Sequence, residues 1–127
     1  MRLTVRNYHL DGYGHVNHAR YLEFCEEARW AFFDKRGRLK LLGGIRLVVV
    51  RADVQYRRPA LEGHELIIAT VLHDIQPRAL TVRQTLTLTH SGKTAAEAAI
   101  TLMPVDGQGK AVRLGETLMA ELQRQAV

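Results

Sequence analysis

The sequence has one cysteine, Cys25, and three prolines among its 127 residues. A lone thiol forms no intrachain disulfide, which excludes a small disulfide-stapled scaffold and fits a reducing, cytoplasmic setting. Long hydrophobic runs are missing too. The opening MRLTVRNYHL alternates apolar with polar residues, and nothing approaches the roughly 20 consecutive apolar residues of a membrane helix, so no membrane partner is expected. There is no repeat, low-complexity tract or linker, and residues 1–127 are expected to form one domain. Hydrophobic residues make up 46% and charged ones 24% of the chain, which rules against disorder. The formal charge of +5 is spread thinly. Its densest pair is Arg57-Arg58, with no basic arm or recognition-helix motif, so no nucleic-acid partner is expected.

What is present is a crowding of polar groups at one helix entrance. Asp11-Gly12-Tyr13-Gly14 has turn chemistry around a single carboxylate. His15-Val16-Asn17-His18 follows, and an apolar-rich run without Gly or Pro predicts a helix from Ala19 to Lys35, with Asn17 as its N-cap. A helix start exposes backbone N–H groups that lack intrahelical acceptors and carries partial positive charge, so it suits a carbonyl oxygen gaining charge. A carboxylate facing such donors is what acyl transfer requires.

At about 100° per residue, Tyr21, Phe24, Cys25, Ala28, Ala31 and Phe32 share one helix face, with Glu23, Glu26, Trp30 and Asp34 opposite. Arg29 falls inside the apolar arc and needs a partner or a route to solvent; Trp30 falls on the polar side and needs cover, from a loop, a second subunit or a ligand. Alternation predicts strands over residues 2–8, 45–58, 65–75, 80–89 and 94–105. The third is apolar on both faces, as a strand covered on each side would be. Ser91-Gly92-Lys93 is a turn joining the last two. Ala95 to Ala99 has helix propensity but runs into Ile100-Thr101-Leu102-Met103, and is read as strand. Residues 116–125 form a short terminal helix. The order predicts an α+β fold, a mainly antiparallel five-stranded sheet with one face packed on the long helix. The other face and the edges are left poorly covered, which a homodimer or homotetramer would remedy.

Asp11-Gly12-Tyr13-Gly14-His15-Val16-Asn17-His18-Ala19-Arg20-Tyr21-Leu22, followed by Glu27-Ala28-Arg29, resembles the signature of the 4-hydroxybenzoyl-CoA thioesterase-like hotdog family. Pro59 to Glu65 resembles the same family's lead into its next strand. The resemblance implies a long central helix wrapped by a curved antiparallel sheet, edge-to-edge pairing in a dimer, and an active site at the dimer interface. It also implies hydrolysis of an acyl-CoA or acyl carrier protein thioester without metal or other cofactor. The matching positions make Asp11 the catalytic carboxylate, and His18 the donor to the thioester carbonyl through its backbone N–H, with its imidazole as a second candidate. His15, Asn17, Tyr21 and Glu27 would support them, and Arg78, Arg57 and Arg58 are the candidates for CoA contacts. His9 stands where many relatives carry a second acid.

Plainer roles stand beside these: Asn17 as a cap, His15 as a loop brace, Glu27 in a salt bridge, Cys25 as a buried apolar group. His15 and His18 with Asp11 do not make a convincing metal site, because a three-residue His spacing is common. Asp11 can act as general base or as nucleophile, and the residues do not choose. A non-catalytic acyl-CoA-binding hotdog module and a hotdog dehydratase or hydratase are the alternatives from other classes.

Overall fold

The computed structural model describes Met1–Val127. The elements are β1 (Arg2–Thr4), α1 (His18–Asp34), α2 (Arg38–Leu42), β2 (Arg46–Tyr56), β3 (Glu65–Gln76), β4 (Ala79–Leu88), β5 (Thr94–Val105) and α3 (Glu116–Arg124). The strands form one five-stranded sheet in the order β1-β3-β4-β5-β2, antiparallel at every pairing. It is a curled half-barrel beside a long helix, the hotdog fold. No helix is long and apolar enough to cross a membrane.

Helix α1 starts where its cap dictates. Asn17 Oδ1 accepts from the Ala19 N–H at 2.9 Å, and the helix opens at His18, one residue before the expected start. Tyr21, Phe24, Cys25, Ala28 and Phe32 are buried as the periodicity requires, together with Phe33. Ala31, expected on this face, is exposed. It opens onto a surface groove beside Ile68 and Lys35, whereas α2 folds back against α1 on the flank that carries Phe33. Arg36 (φ 57°) and Gly37 (φ 71°) turn the chain out of α1. Periodicity gives no sign of α2, which is too short to show one.

The expected strand over residues 2–8 shrinks to Arg2–Thr4, because only these three residues face partners on β3, namely Ile67, Leu66 and Glu65. Val5 then donates to the His64 carbonyl at 2.9 Å, and Asn7–His9 form a 3-10 turn in which His9 Nδ1 accepts from the Arg6 N–H at 2.9 Å. The other four strands lie within two residues of their expected limits. Ala95 to Ala99 is strand, with Ala95, Ala96 and Ala98 in the core. Strand β3, however, is covered on one face only. Leu66, Ile68 and Leu72 are buried, Ala69 is exposed, and a bulge at Leu72/Asp74 leaves His73 unpaired and exposed.

On β4, Leu80, Val82, Leu86 and Leu88 point into the core, and so does Gln84, only 1% exposed. Its Nε2 donates to the Cys25 carbonyl at 2.9 Å and to Thr70 Oγ1 at 3.1 Å, and its Oε1 accepts from Arg29 Nη1 at 3.0 Å. Gln84 is thus the partner that Arg29 needs, and the amide fastens the helix to the sheet. Burial pulls the Arg29 guanidinium below its usual range, with the Cys25 and Glu26 side chains opposing the shift. Arg38 is a second buried anchor. Its guanidinium stacks on the Phe32 ring at 3.8 Å and donates to the carbonyls of Phe32 (2.6 Å) and Gln125 (2.9 Å), which fixes the end of α3.

The two sheet edges differ. Strand β1 is a three-residue stub, whereas β2 is an eleven-residue free edge. Val48, Val49, Val50 and Tyr56 of β2 are 39–55% exposed. Trp30 on the flank of α1 also remains uncovered by its own chain, at 62% exposure.

Candidate active site

The loop from Leu10 to Val16 closes on itself as a small bridge between those two residues. Asp11 organises it. Its N–H donates to the His15 carbonyl at 2.7 Å, and its Oδ1 accepts from the N–H groups of Tyr13 (2.8 Å) and His15 (3.2 Å). Gly14 takes φ 79°, the left-handed conformation that a side chain would strain. Val16 donates to the Ala60 carbonyl at 2.9 Å and Asn17 to the His9 carbonyl at 2.8 Å, which ties the loop to the chain on both sides. One oxygen of Asp11 therefore holds the loop, and Oδ2 has no protein partner.

This loop, the start of α1 and the end of β2 enclose a cleft of about 270 Å³ lined by Asp11, His15, Val16, His18, Tyr21, Tyr56, Arg57, Arg58 and Pro59. The amides of Val16, Asn17, Ala19 and Arg20 all have acceptors, and that of His18 has none. The helix start thus presents one unsatisfied N–H at the cleft. Tyr56 donates its hydroxyl to the His18 carbonyl at 3.0 Å, bracing the first turn. The rings of Tyr21 and Tyr56 meet edge to face at 5.5 Å. Burial pushes the Tyr21 phenol up, the nearby Tyr56 and Asp11 add to the shift, and the Ala60 N–H donating to its oxygen at 3.3 Å opposes it. Tyr21 therefore stays protonated at neutral pH, with its own proton free to donate. Burial also raises the Tyr56 phenol.

Asp11, His18, His15, Tyr21, Arg57 and Arg58 of the expected set thus share one cleft. Asn17 lies outside its lining and caps α1. Glu27 is exposed on α1, without a hydrogen bond or ion pair from its side chain. Arg78 sits in the β3–β4 turn, at the end of the sheet where Arg46 faces Val105; the cleft lies at the opposite end, where Tyr56 faces Ala96. Arg57 and Arg58 are already engaged, Arg57 with Glu97 at 3.1 Å and Arg58 with the Thr94 carbonyl at 3.4 Å. Tyr56 was absent from the expected set. The alternation along β2 carried the signal, since it places this ring on the helix side of the strand's last residue. Cys25 is buried at 1% exposure, and burial pushes its thiol up to about 11 against a smaller opposing effect of Arg29.

A second concavity runs along the flank of α1 toward the start of β2. It is an apolar groove of about 410 Å³ walled by Trp30, Phe33, Leu42, Ile45, Leu47 and Val49 among others, with Glu26, Arg29 and Arg46 in its lining.

Residues 5–122 match the model of the thioesterase-like superfamily. The chain is 39% identical over 107 residues to the long-chain acyl-CoA thioesterase FadM of Escherichia coli strain K12, covering 83% of this chain and 81% of FadM. Among solved structures, the Escherichia coli probable thioesterase YbaW superposes with a TM-score of 0.89 at 36% identity, over 100% of this chain and 98% of that one. A Thermus thermophilus thioesterase, determined in complex with coenzyme A and Zn, superposes with a TM-score of 0.84 at 30% identity, over 98% and 92% of the two chains. The match across nearly the whole chain and the agreement in fold lead to one conclusion: the chain belongs to the thioesterase-like superfamily and is a thioester hydrolase of hotdog fold.

Proposed function

We propose that the protein hydrolyses acyl-CoA thioesters at the Asp11 cleft. The observation that carries this reading is the juxtaposition in one cleft of a carboxylate with a free oxygen and the unsatisfied N–H at the start of α1. The His18 N–H donates to the thioester carbonyl oxygen and stabilises the negative charge that develops there, helped by the partial positive charge of the helix terminus. Asp11 Oδ2 either takes a proton from water as that water attacks the carbonyl carbon, or attacks it directly to give a mixed anhydride that water then opens. Either route adds one water, breaks the C–S bond and releases a carboxylic acid and the CoA thiol. In this reading Tyr21, protonated and with its proton free, donates to the substrate, and Tyr56 positions the His18 turn through its hydrogen bond to the His18 carbonyl. His15 braces the loop through its amide. Arg57 and Arg58 at the cleft rim attract the phosphates of CoA.

The apolar groove beside Trp30 gives an acyl tail a place to be buried, which agrees with a preference for long acyl chains such as the name of FadM indicates for that relative. The bare β2 edge supports a homodimer as the working form. The test is thiol release from a panel of acyl-CoAs of increasing chain length, and from acyl carrier protein thioesters. Hydrolysis that improves with chain length is expected. Absence of thiol release from every substrate would sink the reading, and turnover that survives Asp11→Asn would remove the catalytic assignment alone.

A further inference from the structure

We infer that His9 and His64 are paired positioning residues that hold the Asp11 loop through unprotonated imidazoles, so that acid loosens the loop and slows the reaction. The effect on hydrolysis rests on the thioesterase reading above; the effect on the loop does not.

Two four-residue turns flank the loop, and each is closed twice in the same way. In residues 6–9, the His9 N–H donates to the Arg6 carbonyl at 3.0 Å, and the Arg6 N–H donates to His9 Nδ1 at 2.9 Å. In residues 61–64, the His64 N–H donates to the Leu61 carbonyl at 3.0 Å, and the Leu61 N–H donates to His64 Nδ1 at 3.0 Å. The turns are joined at the buried Val5, whose N–H donates to the His64 carbonyl and whose carbonyl accepts from Gly63, both at 2.9 Å. Both anchors of the Asp11 loop land on this unit. Asn17 donates to the carbonyl of His9 itself, and Val16 to that of Ala60, the residue before the second turn. Val16 and Asn17 run directly into the open His18 amide, so the two turns fix where that amide and the loop carrying Asp11 stand.

An imidazole Nδ1 that accepts a hydrogen bond carries no proton. Protonation sets an N–H against the backbone N–H, and the closing bond is lost. Arg20 and Glu23 of α1 and Arg6 of its own turn surround His9, and the Tyr8 and Phe24 rings pack on it at 4.5 and 4.9 Å. Burial, then Arg20 and Arg6, pulls the His9 imidazole below its ordinary 6.5, with Glu23 opposing. Its contribution is therefore complete above pH 6.5 and is lost as pH falls from there through the folded value. Around His64, His90 of the β4–β5 turn faces it with ring centroids 4.4 Å apart. Glu62 shares its turn, and the adjacent Glu65 is paired with Arg2 of β1 at 2.6 Å. Charge on both rings repels at that distance, and opening the turn relieves it.

Asparagine carries an acceptor, Oδ1, at the same place along the side chain as Nδ1 and takes no proton. The double variant His9→Asn/His64→Asn is expected to keep kcat/KM within about threefold of wild type at neutral pH, read from loss of thioester absorbance. As pH falls from about 7.5 to about 5, wild-type kcat is expected to drop at least about fivefold relative to the double variant, with KM little changed. Asp11 is common to both proteins, so any acid limb that it causes cancels in the ratio. Amide exchange followed by NMR reads the loop itself. Over the same range Val16 and Asn17 are expected to lose at least about fivefold in protection, corrected for the pH dependence of exchange in an unfolded chain, in wild type only. His9→Ala and His64→Ala offer no acceptor and lose protection and kcat at every pH; circular dichroism shows whether they fold, and the asparagine variant carries the test where they do not. Identical pH profiles and identical protection in wild type and the double variant overturn the inference. Loss of protection without the drop in kcat overturns its catalytic half. Loss of protection as expected in a protein that hydrolyses no thioester leaves the histidine pair standing and refutes the functional reading instead.

Discussion

The cleft at the start of α1 and the groove along its flank are opposites in chemistry. The cleft, about 270 Å³, holds a carboxylate, an open backbone N–H and two phenols. The groove, about 410 Å³, has eight hydrophobic residues among the eleven that line it. His18 and Trp30 are twelve positions apart on one helix, so the two regions lie about 18 Å apart along its axis. Their separation is a separation of chemistry: titratable groups are held by a stapled loop at the helix terminus, and apolar surface is held by the helix side and the exposed strand edge. A thioester with a long acyl tail needs both kinds of surface.

The comparison breaks most sharply at Asp11. Asp11→Asn keeps an Oδ1 that can accept from Tyr13 and His15, so the loop persists while the charge is lost. Turnover is expected to fall by about 10² to 10⁴, with KM little changed and circular dichroism identical; steady-state thiol release checks this. Gln84→Leu tests the floor that both regions share. It deprives Arg29 of its acceptor and the Cys25 carbonyl of a donor, and should cost about 1–3 kcal/mol in urea unfolding. Trp30→Ala acts on the groove alone. It should lower kcat/KM by roughly tenfold for long acyl-CoAs and leave short ones unaffected, as expected when apolar contact is lost only for long tails.

Asn17→Ala removes the cap of α1 and should cost about 1 kcal/mol, read from thermal or urea unfolding. The smallest effect near neutral pH is at Cys25. Its thiol titrates at about 11 in the folded chain against an ordinary 9.0, so the unfolded chain loses this proton first as pH rises. The stabilising contribution is complete below pH 9.0 and is lost as pH climbs toward about 11. Cys25→Ala should therefore flatten the alkaline fall in stability within that window, and native protein should resist alkylation at neutral pH.

Local features are legible in the chain's own residue order. The Asn17 cap and the turn around Asp11 depend on residues within a few positions of one another, as do the helix face from Tyr21 to Phe32 and the alternation of β4. The features that escape are those that join distant residues. Gln84 meets Arg29 across 55 positions, and Tyr56 reaches the His18 carbonyl across 38. Strand β1 ends where β3 stops offering partners, which its own alternation does not record. Ala31 and Phe33 exchange places for the same reason: periodicity ranks the faces of a helix, and what covers each face is set by elements elsewhere in the chain.

The sequence by itself determined the long helix, the four long strands, the sheet-and-helix class and the carboxylate beside a helix entrance, because each follows from turn chemistry, capping and periodicity over short stretches. Tertiary structure alone decided that the outer face of β3 stays bare, that β2 is the long free edge, and that Asp11, the His18 amide, Tyr21 and Tyr56 converge on one cleft. The physical reason is that burial and hydrogen-bond partners depend on distance in space, and only the folded chain brings a loop, a helix start and a strand end together around one cleft.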